Sequence, residues 1–262
     1  MEWRAGTLAL CLLVLVAVPA IGGEVTLVPT RDNTLYEVIQ EGEGQLPSNG
    51  AGDYFFAGRT AILGESRRGL LGFDVADAIP PGSVIADVTL TLEMSRTISG
   101  SATVELHRVS SDWGEGTSDA PGQEGNGAPA TDGDATWVHT FYPDGFWLAE
   151  GGDFAASVSA AQSVGDEGTY TWGSTPEMVA DVQSWLDNPT TNFGWLVMGD
   201  ETRQLSTKRF NTRENSIGSP QLAIAFMDPV PTVPDRSLAM LALLLASLAI
   251  WRLRRTRLEV DR

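Results

Sequence analysis

The residues able to do chemistry in this chain are two histidines, many carboxylates, a small set of clustered cations and several tryptophans. His107 and His139 are the only histidines. Neither stands at metal-ligand spacing from a partner or in the Ser/Asp setting of a catalytic triad. Carboxylates are so abundant that closeness of one pair would not identify a glycosidase. No glycine-rich phosphate loop follows a strand and opens a helix. The pattern therefore points to binding rather than catalysis. Among the cations, Arg67 and Arg68 open one strand-like run, with Arg59 just upstream, and Lys208, Arg209 and Arg213 share another. On a strand Arg209 and Arg213 point one way and Lys208 the other, which offers a two-arginine fork for carboxylate or sulfate groups. The alternative is an internal network with Asp74, Asp200 or Glu214. Trp113, Trp137 and Trp147 border loops, where an indole face can stack on a sugar ring while nearby polar groups bond its hydroxyls. Trp113 and Trp137 are the candidates for stacking, and packing under a long loop is the competing role. Asp32, Asp53 and Asp74 are candidate oxygen ligands for a structural calcium ion, although no linear calcium motif is present.

These groups must be held by a mostly β framework. One helix is expected, from Pro176 to Asp187. Thr175 suits the N-cap, Pro176 the first helical position, and Glu177 the positive helix end. Met178, Val179, Val182, Trp185 and Leu186 form an apolar stripe at helical spacing, and Asp187-Asn188-Pro189 stops the helix. Strand-like runs follow at Phe193 to Met198, Leu205 to Arg213 and Gln221 to Phe226. Upstream, strands are expected at Leu35 to Ile39, Tyr54 to Thr60, Arg67 to Val75, Val84 to Met94 and Ala102 to Val109. In the fourth of these, Val84, Ala86, Val88, Leu90, Leu92 and Met94 alternate with more polar residues, so one face should be buried throughout. Short strands are expected at Trp137 to Thr140, Phe146 to Leu148, Ser157 to Val164 and Thr169 to Trp172. Gly114 to Asp134, rich in Gly, Ala, Pro, Asp and Glu, reads as a long loop, either a mobile insertion or a functional one. The fold class is all-β, a jelly-roll-like antiparallel β-sandwich with one short packed α-helix.

Both ends of the 262-residue chain carry membrane-directed signals. Residues 1–23 have Arg4, an apolar run from Leu8 to Ile21 and small residues at Ala20, Gly22 and Gly23, the pattern of a signal peptide cleaved after Ala20 or Gly23. A permanent N-terminal anchor is the alternative, though the run is shorter than the ~20 residues of a span. Cys11, the only cysteine, lies within this leader behind Leu10, so neither lipidation nor a disulfide is expected. After the domain (24–227) comes a Pro-rich spacer (228–236), then a hydrophobic helix and basic tail (237–262) that orient the C-terminus to the cytoplasm. The domain holds ten Lys and Arg against 29 Asp and Glu, a net charge of −19. That balance argues against nucleic acid and favours cations as ligands.

Several strings carry a family resemblance. Arg67-Arg68-Gly69-Leu70-Leu71-Gly72-Phe73-Asp74, Asp112-Trp113-Gly114-Glu115-Gly116, Trp185-Leu186-Asp187-Asn188-Pro189 and Lys208-Arg209-Phe210-Asn211-Thr212-Arg213-Glu214 resemble the DNRLRE domain family in order and spacing. The match runs from about Arg31 to Phe226, with Asn211 where many members have Asp. The resemblance implies a jelly-roll sandwich of secreted bacterial proteins, related to alginate-binding carbohydrate modules and without enzymatic activity. The tail resembles PEP-CTERM and IPTL-CTERM sorting signals, which imply removal by an intramembrane sorting protease and display outside the cell. An ordinary single-pass tail anchor is the alternative. The expected partner is a polysaccharide or cell-surface glycan, anionic or neutral. The competing expectations are a structural envelope or matrix protein and a polysaccharide-degrading enzyme.

Overall fold

A computed structural model of the chain describes residues 22–38, 46–62, 65–229 and 242–252. The chain divides into two units, Met1–Asp228 and Pro229–Arg262. In the first unit the described strands are β1 (Gly22–Leu27), β2 (Arg31–Tyr36), β3 (Pro47–Ser48), β4 (Tyr54–Arg59), β5 (Ser66–Gly72), β6 (Val84–Thr97) and β7 (Ala102–Val109). They continue with β8 (Ala128–Pro129), β9 (His139–Phe141), β10 (Gly145–Phe146), β11 (Phe154–Val164) and β12 (Gly168–Gly173). Helix α1 (Pro176–Asp187) separates these from β13 (Trp195–Met198), β14 (Lys208–Asn211) and β15 (Gln221–Met227).

All the ladders are antiparallel, and eleven strands form one curled sheet in the order β1-β15-β6-β14-β4-β5-β13-β7-β11, with β12 on β6 and β2 on β5. The curl turns on β4. Tyr54 to Ala57 pair with β14, while Gly58 and Arg59 pair with β5. Gly58 makes that hand-over at φ +116°, where a Cβ would lie 2.9 Å from Thr207 Cα, so a side chain is excluded there.

The curled sheet encloses the main core. Leu90, Leu92 and Met94 of β6 pack with Leu71, Val104, Leu106, Trp195 and Val197 from the facing strands. Helix α1 lies where its stripe requires, with Met178, Val182, Trp185 and Leu186 buried. Thr175 caps it by accepting from Met178 N at 3.1 Å, and Trp185 meets Trp195 edge-to-face at 4.5 Å. A second apolar cluster, built on Leu35, Leu70, Val109, Trp113, Trp147 and Leu196, covers the other face of β2, β5, β7 and β13. Burial on both faces explains why Trp195-Leu196-Val197 is continuously apolar rather than alternating.

Three expectations need correction. The alternation in β6 does not run its full length: Val84 and Ala86 are exposed and Ile85 is buried. A bulge is responsible, because Ala225 pairs with Asp87 but Phe226 with Ile85, and the extra residue reverses the faces beyond it. Gly22 and Gly23, placed in the leader, belong to β1 and pair with Met227 and Phe226. The segment Gly114 to Asp134 is not a loose insertion. Ser118, Ala120, Glu124, Ala128 and Ala130 are buried, and β8 pairs with β3.

Residues 1–21, 230–241 and 253–262 lie outside the described residues, and with them nearly all of the expected leader, most of the spacer, and the start and the basic end of the expected sorting signal. In the second unit, residues 242–252 are helical. No helix among the described residues is long and apolar enough to cross a membrane.

Candidate functional site

The arginines selected from the sequence mostly hold the segment 114–134 in place. Asn33 and Asn49 begin that work: Asn33 Nδ2 donates to Glu115 O at 2.9 Å, and Asn49 Oδ1 accepts from Ala120 N at 2.9 Å. The buried Glu124 carboxylate accepts from Asn49 Nδ2 at 2.8 Å and from Tyr54 N at 2.9 Å. Arg67, 3% exposed, stacks on Tyr36 at 4.9 Å and donates to Glu37 O, Ser66 O and Gly125 O. Arg209 lies 3.6 Å over Tyr54 and donates to Gln123 Oε1 at 2.7 Å. Arg213 grips Glu115 through Nε at 3.0 Å and Nη2 at 2.6 Å. Arg209 and Arg213 both reach this segment, although β14 ends at Asn211 and Arg213 lies beyond the strand, and the expected fork closes on Gln123 and Glu115 and leaves no open pair for a ligand. Of the alternative partners, only Glu214 is confirmed, 3.0 Å from Arg213.

Lys208 and Trp113 are corrected more sharply. Lys208 is 0% exposed. Its ammonium donates to Thr97 Oγ1 and to the carbonyls of Ser99, Gly100 and Gly165 at 2.9–3.2 Å. It ties the β6–β7 turn to the β11–β12 turn and does not face solvent. Trp113 is also fully buried, with Nε1 donating to Phe193 O at 2.8 Å and the Arg31 guanidinium 4.3 Å over its ring. A sugar cannot reach it.

Trp137 and Arg68 are different. Trp137 is half-buried and, with Val38, Leu46, Val138 and Glu150, lines a cleft of about 450 Å³. Arg68 lies 4.7 Å over the indole, donates to Gly151 O at 2.7 Å and forms a bidentate pair with Glu201 at 2.7 and 2.8 Å. Arg68 therefore fixes the ring and fills one of its faces, and its charge is already met. The hairpin of β9 and β10 and the residues just after it present Phe146 at 61% and Leu148 at 94% exposure. Trp147 anchors it from below by donating to Thr136 O at 2.9 Å. The sequence pointed to Trp137 but gave no sign of Phe146, Leu148 or Glu150, because exposure depends on how the hairpin stands on Trp147.

The histidines do not form a catalytic set. His107 contacts Ala155 O at 3.0 Å and Glu105 at 3.4 Å. His139 meets the Thr136 hydroxyl at 3.0 Å and the Phe146 ring at 4.6 Å, and burial lowers its pKa.

The three aspartates proposed for calcium do not converge. Asp53 and Asp74 are exposed, and Asp74 lines a separate cleft with Thr30, Arg31 and Asp77. Asp32 is fully buried. Its Oδ2 accepts from Arg213 N at 3.0 Å, and burial raises its pKa well above the usual carboxylate range, with Glu214 and Glu115 adding to the rise. Among the described residues no group of three or more His, Cys, Asp or Glu side chains is placed to hold a metal ion. In comparisons with known proteins, no family model matches the chain and no curated protein matches it.

Proposed function

We propose that the chain is a non-catalytic glycan-binding module of the DNRLRE-like, jelly-roll kind, exported and displayed outside the cell. The observation that carries this reading is the cleft that Trp137 lines with Val38, Leu46, Val138 and Glu150. The half-buried indole, stacked by Arg68 and packed against the second apolar cluster, shares the cleft with apolar walls and the Glu150 carboxylate, so apolar surface for a sugar ring lies beside an acceptor for its hydroxyls. A neutral glycan fits better than an anionic one. Arg67, Lys208 and Arg209 are buried on protein partners, Arg68 is paired with Glu201, and the domain carries a net charge of −19. Export would be directed by the leader, and the tail would be a substrate for a sorting protease.

Retention of the purified full chain on immobilised neutral and acidic polysaccharides tests this reading. Trp137→Ala should abolish retention measured well below the variant's own unfolding temperature. Trp113→Ala should destabilise the fold by about 3–5 kcal/mol, as large aromatic truncations in cores do. Retention that survives both Trp137→Ala and Phe146→Ala would reject the site.

A second reading, a packing or spacing protein of an envelope or matrix, is favoured by one observation: the arginines close on the protein's own loop. It predicts that no glycan on such an array is retained by the folded wild type.

A further inference from the structure

Trp137 and Val138, both in the wall of the proposed cleft, belong to one tight turn, Thr136 to His139. Thr136 N closes it by donating to His139 O at 2.9 Å. The second tie is the hydroxyl of the fully buried Thr136, which accepts from Val138 N at 3.2 Å and from His139 N at 3.0 Å. Those two bonds use both lone pairs of the oxygen, so its one hydrogen goes to His139 Nδ1, 3.0 Å away. The neutral imidazole therefore carries its proton on Nε2. The ring is 7% exposed and touches the rings of Phe146 and Tyr142 at 4.6 and 5.2 Å between centroids, which leaves it little room to turn away. The cleft is built on the same turn: Trp147 Nε1 donates to Thr136 O, Trp147 N to Val138 O and Gly151 N to Trp137 O.

A second proton on the imidazole goes to Nδ1, where it faces the Thr136 hydrogen, donor against donor. The hydroxyl can accept it only by releasing Val138 N or His139 N. We infer that the Trp137 cleft is acid-sensitive, with His139 as its positioning residue: the neutral ring latches the turn that presents Trp137 and Val138, and the charged ring opens it. The charged neighbour acting on the ring is Asp144, in the β9–β10 turn. Its carboxylate and the Pro143 carbonyl favour the charged ring, but burial outweighs them and lowers the pKa. Asp134, two residues before the turn, directs its carboxylate to Thr131 instead. The folded turn thus stabilises the neutral ring, so the latch holds at neutral pH and is lost as pH falls below the usual imidazole value of about 6.5. What the open turn releases is the glycan proposed above, so this regulation rests on that reading, whereas the latch itself does not.

The test follows the full chain from about pH 7.5 to about pH 4.5 with two readouts. Nuclear magnetic resonance, without ligand, gives the His139 titration and the exchange protection of the Val138 and His139 amides. Retention on a polysaccharide that the chain holds at the upper pH gives binding. One of the two amides should lose protection in step with ring protonation, and retention should weaken by up to about tenfold per pH unit below that point, as one coupled proton allows. His139→Asn places an acceptor that does not titrate near the position of Nδ1, so it should bind at the upper pH and keep binding in acid, while His107→Gln should follow the wild type. Should His139→Asn fail to fold, the wild-type amides still decide. A ring that titrates with both amides unmoved overturns the inference, and so does retention that falls equally in the wild type and His139→Asn. If no polysaccharide is retained at any pH, the glycan reading fails, and the amides alone decide the latch.

Discussion

Replacing Lys208 by methionine separates the two roles open to this residue. Methionine keeps most of the apolar stem and removes the ammonium. The loss takes a donor from Thr97 Oγ1 and from the carbonyls of Ser99, Gly100 and Gly165, all within 3.2 Å of Nζ; Thr97 Oγ1 still accepts from Ser99 N at 3.2 Å and donates to Ser99 O at 3.3 Å, so the Gly165 and Gly100 carbonyls lose most. Gly100 is exposed and can turn to water, while Thr97, Ser99 and Gly165 are half-buried. At about 1–3 kcal/mol for each acceptor left unmet, less what partial rehydration and the ammonium's own desolvation return, the cost is about 2–4 kcal/mol. Lys208→Ala also deletes three buried methylenes at about 0.8 kcal/mol each, raising the cost to about 4–6 kcal/mol. In a domain of this size 1 kcal/mol moves the midpoint by about 2–4 °C, so Lys208→Met should melt about 5–15 °C lower. Differential scanning calorimetry gives the midpoint, and glycan retention well below it should match the wild type. A methionine variant that melts within about 2 °C of wild type yet loses retention would refute the reasoning: the ammonium would then be a ligand group, as its position in the sequence suggested.

Two further predictions concern charge and backbone. Burial raises the pKa of Asp32, Glu124, Asp134 and Glu214, whereas Asp200 is lowered, chiefly by the Thr202 hydroxyl. Where the four raised groups still hold protons that the unfolded chain has lost, the native state binds more protons, so stability falls as pH rises from about 4 through their shifted values. In about 0.5 M salt, which screens surface repulsion but not buried groups, the midpoint should be higher at pH 5 than at pH 7. A midpoint that climbs steadily between those pH values contradicts this. Gly194→Ala should cost more than about 3 kcal/mol: Gly194 has φ +77°, and a Cβ would sit 1.9 Å from Leu71 O. Soluble, wild-type-like expression of that variant would count against the register of β13 on β5.

Helix α1 was legible to the residue because capping and apolar spacing are local. The strands were legible too wherever one face stayed buried, as from Val88 to Met94. The pattern failed at the Ala86 bulge, whose cause is a partner strand over a hundred residues away. The burial of the cations was hidden for the same reason. A run such as Lys208-Arg209 advertises charge, but what consumes it, the Gly165 carbonyl or Gln123, appears only once the chain has folded back. The segment 114–134 read as loose because its composition is that of linkers, yet Asn33, Asn49, Arg67 and Arg213 come from four other places to bind it. At the candidate site, the indole of Trp137 was visible in the sequence and the exposure of its neighbours was not.

The pairing of Gly22 with Met227 has a mechanical consequence. The first and last strands begin and end on the same rung, so opposed forces on the two ends would peel β1 from β15 one hydrogen-bonded step at a time rather than shear the whole ladder. A pull entering through the Trp137 cleft and leaving at Met227 would not pass through that seam, because β1 is an edge strand. A domain held by its C-terminal end alone would therefore resist traction on a bound polymer far better than one stretched between its two ends.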